Sequence, residues 1–346
     1  MRVLFFPTLP FPKDGYSIAV CSDLNRLQPT QDDFVIWYNM DLYQETPPYG
    51  FKINGPSRFA LKRYINLLKG NLSCEFTRKD LKNYQLPENP DSIFCGDIHF
   101  YRVLRSYYPH LNIDVRFHNC YSRISQRINL LGYANPNIKF KINLRGNCRL
   151  EKEIFNDNKT RKFFISDEDR NFYVSMMGKR DDSDVWGVLP DFELVKKNRK
   201  KIYRPSKIVW FGGIQAHKSD SVKWFVKDVY TPLKVKYPYI EFHLFGQGTD
   251  SYNEPDLSIY GHGRYEGTGM PYKDEGVFIN PDLTGGGVKI KLKQYFEEGV
   301  TFITNPFGYE GYPQEWADNE YCYCVQLDKW FECLDSLFSD NTKNGK

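Results

Sequence analysis

Short apolar runs rich in β-branched and aromatic residues recur along the chain, each bounded by polar or turn-forming residues. They lie at 3–6, 34–37, 92–95, 113–117, 162–165 and 185–189, then at 207–211, 240–245, 257–260, 276–279, 300–304 and 321–325. Runs of this length without strict alternation are typical of strands buried on both faces, and the amphipathic stretches between them supply crossover helices. The pattern predicts α/β architecture with parallel sheets. One helix is well marked over 219–236, where Val222, Phe225, Val226, Val229 and Leu233 recur at helical spacing behind Ser219, a residue suited to an N-cap. Another is expected at 327–338, with Trp330, Cys333, Leu334 and Phe338 on one side.

The alternation breaks once, at the charged string KKNRKK (196–201), which has no apolar period and precedes Pro205 and Ser206. This predicts an N-terminal domain over 1–194, a linker over 195–206 and a C-terminal domain over 207–346, a division suited to a 346-residue chain. Two such domains would bring the carboxyl ends of their sheets to a shared central cleft, where open α/β sheets bind ligands. With 41% hydrophobic and 16% aromatic residues the composition excludes a disordered chain. A net charge of +4 is too mild to specify nucleic acid, and aromatic and basic residues do not interleave on one element as a single-strand binder requires. It leaves anionic substrates or an anionic lipid surface open, and the basic string at 196–201 could touch such a surface.

No apolar run approaches the roughly 20 residues of a membrane-spanning helix, and the opening apolar stretch is broken by Pro7 too soon for a signal peptide. A cytoplasmic protein is expected, with peripheral contact at the inner face of a membrane left open. The eight cysteines form no CxxC pair and no His stands at metal spacing, so they read as reduced thiols, with Cys322 and Cys324 on one face of a core strand. Asp182-Ser-Asp184 has the D-x-D form of a metal-binding pair but lies in a charged stretch that reads as a solvated loop, and no metal is expected.

The segment with the most chemistry is VFINPDLTGGGVKIKLKQYFEEG at 277–299, a strand that ends in three glycines with a helix expected to open near Val288. Consecutive glycines let a backbone approach a ligand closely, and a helix start adds its positive dipole end. Lys289 and Lys291 bring full charges into a first turn where the dipole alone favours acidic residues. An anion is expected there, bound by the N–H groups of Thr284, Gly285, Gly286, Gly287 and Val288; a tight strand-to-helix turn alone would use the same glycines.

In order along the second half stand WFGGI (210–214), a helix with Trp224 and Phe225, FHLFGQG (242–248), IYGHG (259–263), the glycine segment and FITNPFGYEG (302–311). The series resembles the nucleotide-sugar-binding domain of GT-B fold glycosyltransferases, most closely the retaining enzymes of family 4. In the first half LPFPKDG (9–15), VRFHN (115–119) and FFISDEDR (163–170) are similar to the family's opening loop, strand-end His motif and helix start. The resemblance implies two Rossmann-like domains, a nucleoside-diphosphate sugar as co-substrate, most often a UDP-sugar, no other cofactor, and a saccharide or lipid-linked saccharide acceptor, in a setting such as bacterial surface-polysaccharide assembly. It implies that Lys291 and Lys218 hold the diphosphate with Gly213 and the glycine loop. Gly246, His262, Arg264 and Gln294 would lie at the nucleoside, Asp14 and Gly15 in the acceptor-side loop, and His118 against the transferred sugar. Bland alternatives exist: His118 as a packed histidine, Lys218 as a surface lysine, His243 as a sheet-face residue. The chain departs from the family pattern where Gly286 and Gln294 occupy the positions of two glutamates and Gly213 that of an arginine. A GT-B protein that binds without catalysing is the other reading.

Overall fold

The computed structural model describes all residues except 10–14, 40–46, 55–75, 77, 132–137, 179–181, 200, 201, 203, 204, 215, 266, 268, 284, 318, 319 and 344–346. The chain forms two compact units, Met1–Val188 and Leu189–Lys346.

In the first unit seven strands, β1 (Arg2–Phe6), β2 (Phe34–Asn39), β3 (Phe51–Asn54), β4 (Ser92–Cys95), β5 (Ile113–Phe117), β6 (Thr160–Phe164) and β7 (Ser183–Val185), make one sheet in the order β3-β2-β1-β4-β5-β6-β7. Every pairing is parallel. Alternate side chains feed two cores. Val3, Phe5, Ile93, Val115 and Phe117 pack with Phe100, Leu104, Ile154 and Tyr173, while Leu4, Phe6, Val35, Trp37 and Phe94 pack with Val20 and Leu24 on the other side. Burial on both faces is why these strands read as continuous apolar runs.

The second unit carries β8 (Lys207–Phe211), β9 (Glu241–Phe245), β10 (Ile259–Gly261), β11 (Gly276–Asn280), β12 (Phe302–Thr304) and β13 (Cys322–Cys324), ordered β10-β9-β8-β11-β12-β13 and again parallel throughout. Ile208, Trp210, Phe242, Leu244, Val277 and Ile279 meet the expected helical stripe of Val222, Phe225, Val229 and Leu233, together with Trp330, Leu334 and Phe338. In each sheet the strand order reverses beside the first strand, at β1/β4 and at β8/β11. Loops leaving such a reversal diverge, which opens the crevice used for ligands in α/β folds.

Several boundaries differ from the sequence reading. The edge strand β3 was not foreseen; it is four residues long and its Phe51 is exposed. The last strand of the first sheet is Ser183–Val185, earlier than 185–189, because pairing starts where Lys162 N–H meets the Asp182 carbonyl (2.8 Å) and the Lys162 ammonium meets the Asp182 carboxylate (2.6 Å). The solvated-loop reading of the D-x-D therefore fails for Asp182, which neutralises a fully buried lysine. The long helix begins at Ala216, placing Ser219 inside the first turn and not at the cap. It widens to a π-turn over Val226–Tyr230, where Thr231 N–H reaches back five residues to Val226. Pro232 supplies the cause, since it has no N–H and its ring would strike the carbonyl four residues before it.

The stretch expected to begin the linker is in part a helix, Phe192–Asn198, capped by Asp191 and belonging to the second unit. Val195 is buried and Asn198 Nδ2 donates to the Glu297 carbonyl at 2.8 Å. Gly299 makes the approach possible: its φ is +67°, and a Cβ there would lie 1.9 Å from the Asn198 carbonyl oxygen.

Candidate functional site

The reversal between β8 and β11 gathers most of the residues singled out in the second half. β11 is followed by Pro281, Asp282 and Leu283, and then by the glycines. Gly285 and Gly287 have φ of +126° and +62°, conformations that side chains other than glycine rarely adopt. The helix behind them, Ile290–Glu298, starts two residues later than expected and has no side-chain cap; Lys289 occupies the N-cap position. Thr284 lies outside the described residues. The loop is tied to the helix after β8 by Leu283 N–H donating to Ser221 Oγ at 3.1 Å, with Ser221 buried. It is tied to the loop after β12 by Asn305 Nδ2 donating to the Asp282 carbonyl at 3.0 Å.

The two lysines part company. Lys289 is buried and turned back on its own loop, with Nζ 3.2 Å from the carbonyls of both Gly286 and Gly287 and 4.6 Å above the Phe307 ring. Its ammonium holds the carbonyls of its own loop, a contact the sequence did not reveal. Lys291 lies one helical step further on. Its Nζ is 3.2 Å from Asp282 Oδ1 and 5.0 Å above the Trp210 ring. The carboxylate is 1% exposed and the lysine side chain 10%. An ammonium carries three donors, so pairing with Asp282 is compatible with a further contact to an oxyanion. Asp282 was not singled out from sequence; its signal is its place just past the carboxyl end of a central strand.

The loops after β8, β9 and β10 are laced together by backbone. Gly212 N–H bonds the Phe245 carbonyl at 2.9 Å, Ile214 N–H the Gln247 carbonyl at 2.9 Å, and Gly246 N–H the Gly263 carbonyl at 2.7 Å. Gly246 has φ of +137°, and a Cβ there would fall 2.2 Å from the Gly212 oxygen. Gly213, by contrast, has nothing within 3.8 Å of the place a Cβ would take. Lys218 is in the first turn of Ala216–Phe225, but its side chain lies outside the described residues. His262 is exposed, its ring stacked 4.4 Å from Phe245 at an interplanar angle of 9°. Arg264 is exposed, with Nη2 3.4 Å from Gln247 Oε1. Gln294 is half-buried in the helix Ile290–Glu298. His243 is buried on the sheet face, as the sequence suggested.

In the first unit the corresponding reversal places Gly96 and Asp97 after β4, beside the end of β5. Gly96 fits because a Cβ would lie 2.3 Å from the Phe5 oxygen. His118 follows β5 and is buried, with Nε2 2.9 Å from the Gly96 carbonyl and 4.0 Å from Asp23 Oδ2. A carbonyl only accepts, so Nε2 carries the proton. Burial, aided by the nearby Arg116 guanidinium, pushes the imidazole down to about 4, so it is neutral at pH 7. Arg116 itself is fully buried, paired with Asp23 at 3.1 Å and bonded to the carbonyls of Phe164 (3.0 Å) and Trp186 (2.7 Å). The Asp23 carboxyl is pushed up to about 6 by burial, against the pull of Arg116. Asp14 lies outside the described residues, and Gly15 opens the helix Gly15–Leu27. Among the described residues no group of three or more His, Cys, Asp or Glu is placed to hold a metal ion, and no helix is long and apolar enough to cross a membrane.

No protein-family model matches this sequence, and no curated protein matches it in sequence. Solved structures do match the fold. WaaG, described as a glycosyltransferase involved in lipopolysaccharide biosynthesis, is similar over 99% of this chain and 91% of its own, with a TM-score of 0.63 and 11% identity. An α,α-trehalose-phosphate synthase (UDP-forming) from Burkholderia xenovorans, in complex with glucose-6-phosphate, is similar over 97% of this chain and 91% of its own (TM-score 0.59, 12% identity). An E. coli structure described as trehalose-6-phosphate bound with UDP-2-fluoro glucose covers 99% and 95% (TM-score 0.53, 12% identity). With two parallel sheets, each reversing beside its first strand, and similarity over nearly the full length of these structures, the chain has the GT-B fold of those glycosyltransferases.

Proposed function

We propose that this protein is a glycosyltransferase whose second unit binds a nucleoside-diphosphate sugar, with the diphosphate on the glycine loop 285–287 and Lys291. The observation that carries this reading is the pairing of that loop, at the reversal of the second sheet, with a lysine held in place by a buried carboxylate. As the anomeric C1–O bond to phosphate breaks, negative charge grows on the departing diphosphate, and a fixed ammonium with a helix N-terminus beside it stabilises that charge more than the ground state. Holding Lys291 on Asp282 in advance removes the reorganisation that a mobile surface lysine would need. The same reading assigns the nucleoside to the loops after β9 and β10 and the acceptor to the first unit.

The retaining outcome follows the resemblance in motifs. In front-face transfer the acceptor oxygen bonds to C1 on the side the diphosphate leaves, and its proton passes to a departing phosphate oxygen, so no protein carboxylate nucleophile is required. A neutral His118 suits a place near the sugar, since an imidazolium would repel the positive charge developing at C1. The acceptor class that fits is a saccharide or lipid-linked saccharide of surface-polysaccharide assembly at the inner face of a membrane, and the WaaG likeness supports it.

The test is a melting-temperature panel of UDP-, GDP-, ADP-, CMP- and TDP-sugars against the whole chain and a Lys291→Ala/Asp282→Asn variant, which removes the site without stranding a buried charge. One nucleotide class raising the melting temperature of the wild type and not of the variant supports the reading and names the base. Equal shifts in both proteins, or none in either, would favour a GT-B protein without a donor site at this loop.

A further inference from the structure

On β9, alternation puts Glu241, His243 and Phe245 on one face, and the parallel register sets Tyr260 of β10 beside His243, with His262 just past the end of that strand. The side chains form a chain of contacts running along the sheet toward the ligand end. Lys207 Nζ lies 3.0 Å from Glu241 Oε2, the same oxygen lies 3.0 Å from His243 Nε2, and His243 Nδ1 lies 2.9 Å from His262 Nε2. The rings are fixed by stacking: His243 on Tyr260 at 5.2 Å and against Tyr272 at 4.5 Å, and His262 on Phe245 at 4.4 Å.

Donor and acceptor logic runs one way along this chain. Burial opposes ionisation of Glu241, but the hydrogen bonds from Lys207 and His243 outweigh it and hold the carboxyl below its usual range. A carboxylate only accepts, so His243 Nε2 must carry a proton. Desolvation, partial at the exposed His262 and fuller at the buried His243, lowers the basicity of both imidazoles, so each is neutral near pH 7 with one proton. His243 Nδ1 is then an acceptor, and His262 must use its one proton, on Nε2, to reach it.

We propose that Glu241 and His243 are positioning residues that fix His262 as the Nε2–H tautomer, so that its Nδ1 accepts a hydrogen bond from an N–H of the bound nucleotide's base. The base contact rests on the donor-site reading above; the tautomer does not. A histidine free to choose its tautomer would offer either a donor or an acceptor to the base. This one offers an acceptor, which selects the base edge presenting N–H and disfavours a base methylated at that nitrogen.

The experiment is nitrogen-15 NMR of the imidazoles in the full chain, without ligand and with UDP or GDP. The expected wild-type result is a protonated Nε2 and unprotonated Nδ1 at His262, with Nδ1 shifting as nucleotide binds. Glu241→Ala should give mixed tautomers at His262 and a roughly three- to tenfold loss of nucleotide affinity, the size of one hydrogen bond. Glu241→Gln, whose amide oxygen can still accept from His243, should restore the tautomer, and Lys207→Met should leave it unchanged. A proton on His262 Nδ1 in the wild type, or an unchanged tautomer in Glu241→Ala, would overturn the proposal. Nucleotide that binds through Lys291 yet leaves His262 Nδ1 unmoved would overturn the base contact. If no nucleotide binds at all, the donor reading fails, while the ligand-free tautomer still decides the relay.

Discussion

Lys291 and Asp282 form a buried pair next to a loop that otherwise offers backbone, and the energetics of such pairs are lopsided. Removing one partner strands a charge in low dielectric and costs about 3–5 kcal/mol, whereas replacing both is far milder. Lys291→Met should therefore lower unfolding stability by about that amount, the double change Lys291→Met/Asp282→Asn should recover most of it, and neither should bind diphosphate; urea titrations with a binding assay check all three. His118 gives a pH prediction. Its folded pKa, about 4, is below the ordinary 6.5, so its contribution to stability is present above pH 6.5 and is lost as pH falls toward 4. The gap corresponds to about 3 kcal/mol, and wild type should lose more stability than His118→Gln over that window. At this scale the sequence exposed chemistry but not geometry. Lys291 stood out as a cation in a first helical turn, yet its place beside Asp282 and the inward turn of Lys289 involve Trp210 and Phe307, which arrive from strand β8 and from the loop after β12.

Elements place these residues by letting backbones touch. The loops after β8 and β9 meet at Gly246, where φ is +137° and a Cβ would strike the Gly212 oxygen at 2.2 Å. Gly246→Ala should destabilise by at least about 2 kcal/mol and weaken nucleotide binding by separating the loops. Gly213 is the contrast: with 3.8 Å of clearance, Gly213→Arg should fold with little change in melting temperature. On the donor-site reading it should tighten diphosphate binding roughly tenfold, the size of a charge-assisted hydrogen bond. Strand positions were readable because parallel strands buried on both faces leave a plain apolar run. Their ends were less so: β7 is set by the Lys162–Asp182 pair and the helix from Ala216 opens ahead of the best capping residue. The strand β3 escaped because a short, partly exposed edge strand carries little apolar signal.

At the scale of the whole molecule, periodicity yields two α/β units but not the order of their strands, since the reversal at β1/β4 and β8/β11 is a matter of crossover direction. The spaced glycine motifs pointed through resemblance to the GT-B fold, and the similarity to solved GT-B structures agrees at identities of 11 and 12%. Two local features set the chemistry to be tested: Gly286 and Gly213, where the resemblance implies a glutamate and an arginine, and Lys291 anchored on a buried aspartate. The most direct test is calorimetric titration of the whole chain with a nucleoside diphosphate and with its parent nucleoside. The diphosphate is expected to bind at least tenfold more tightly than the nucleoside, and Lys291→Ala/Asp282→Asn to erase the difference. Equal affinity for the two ligands, or a diphosphate preference that survives in the variant, would contradict the donor-site reading.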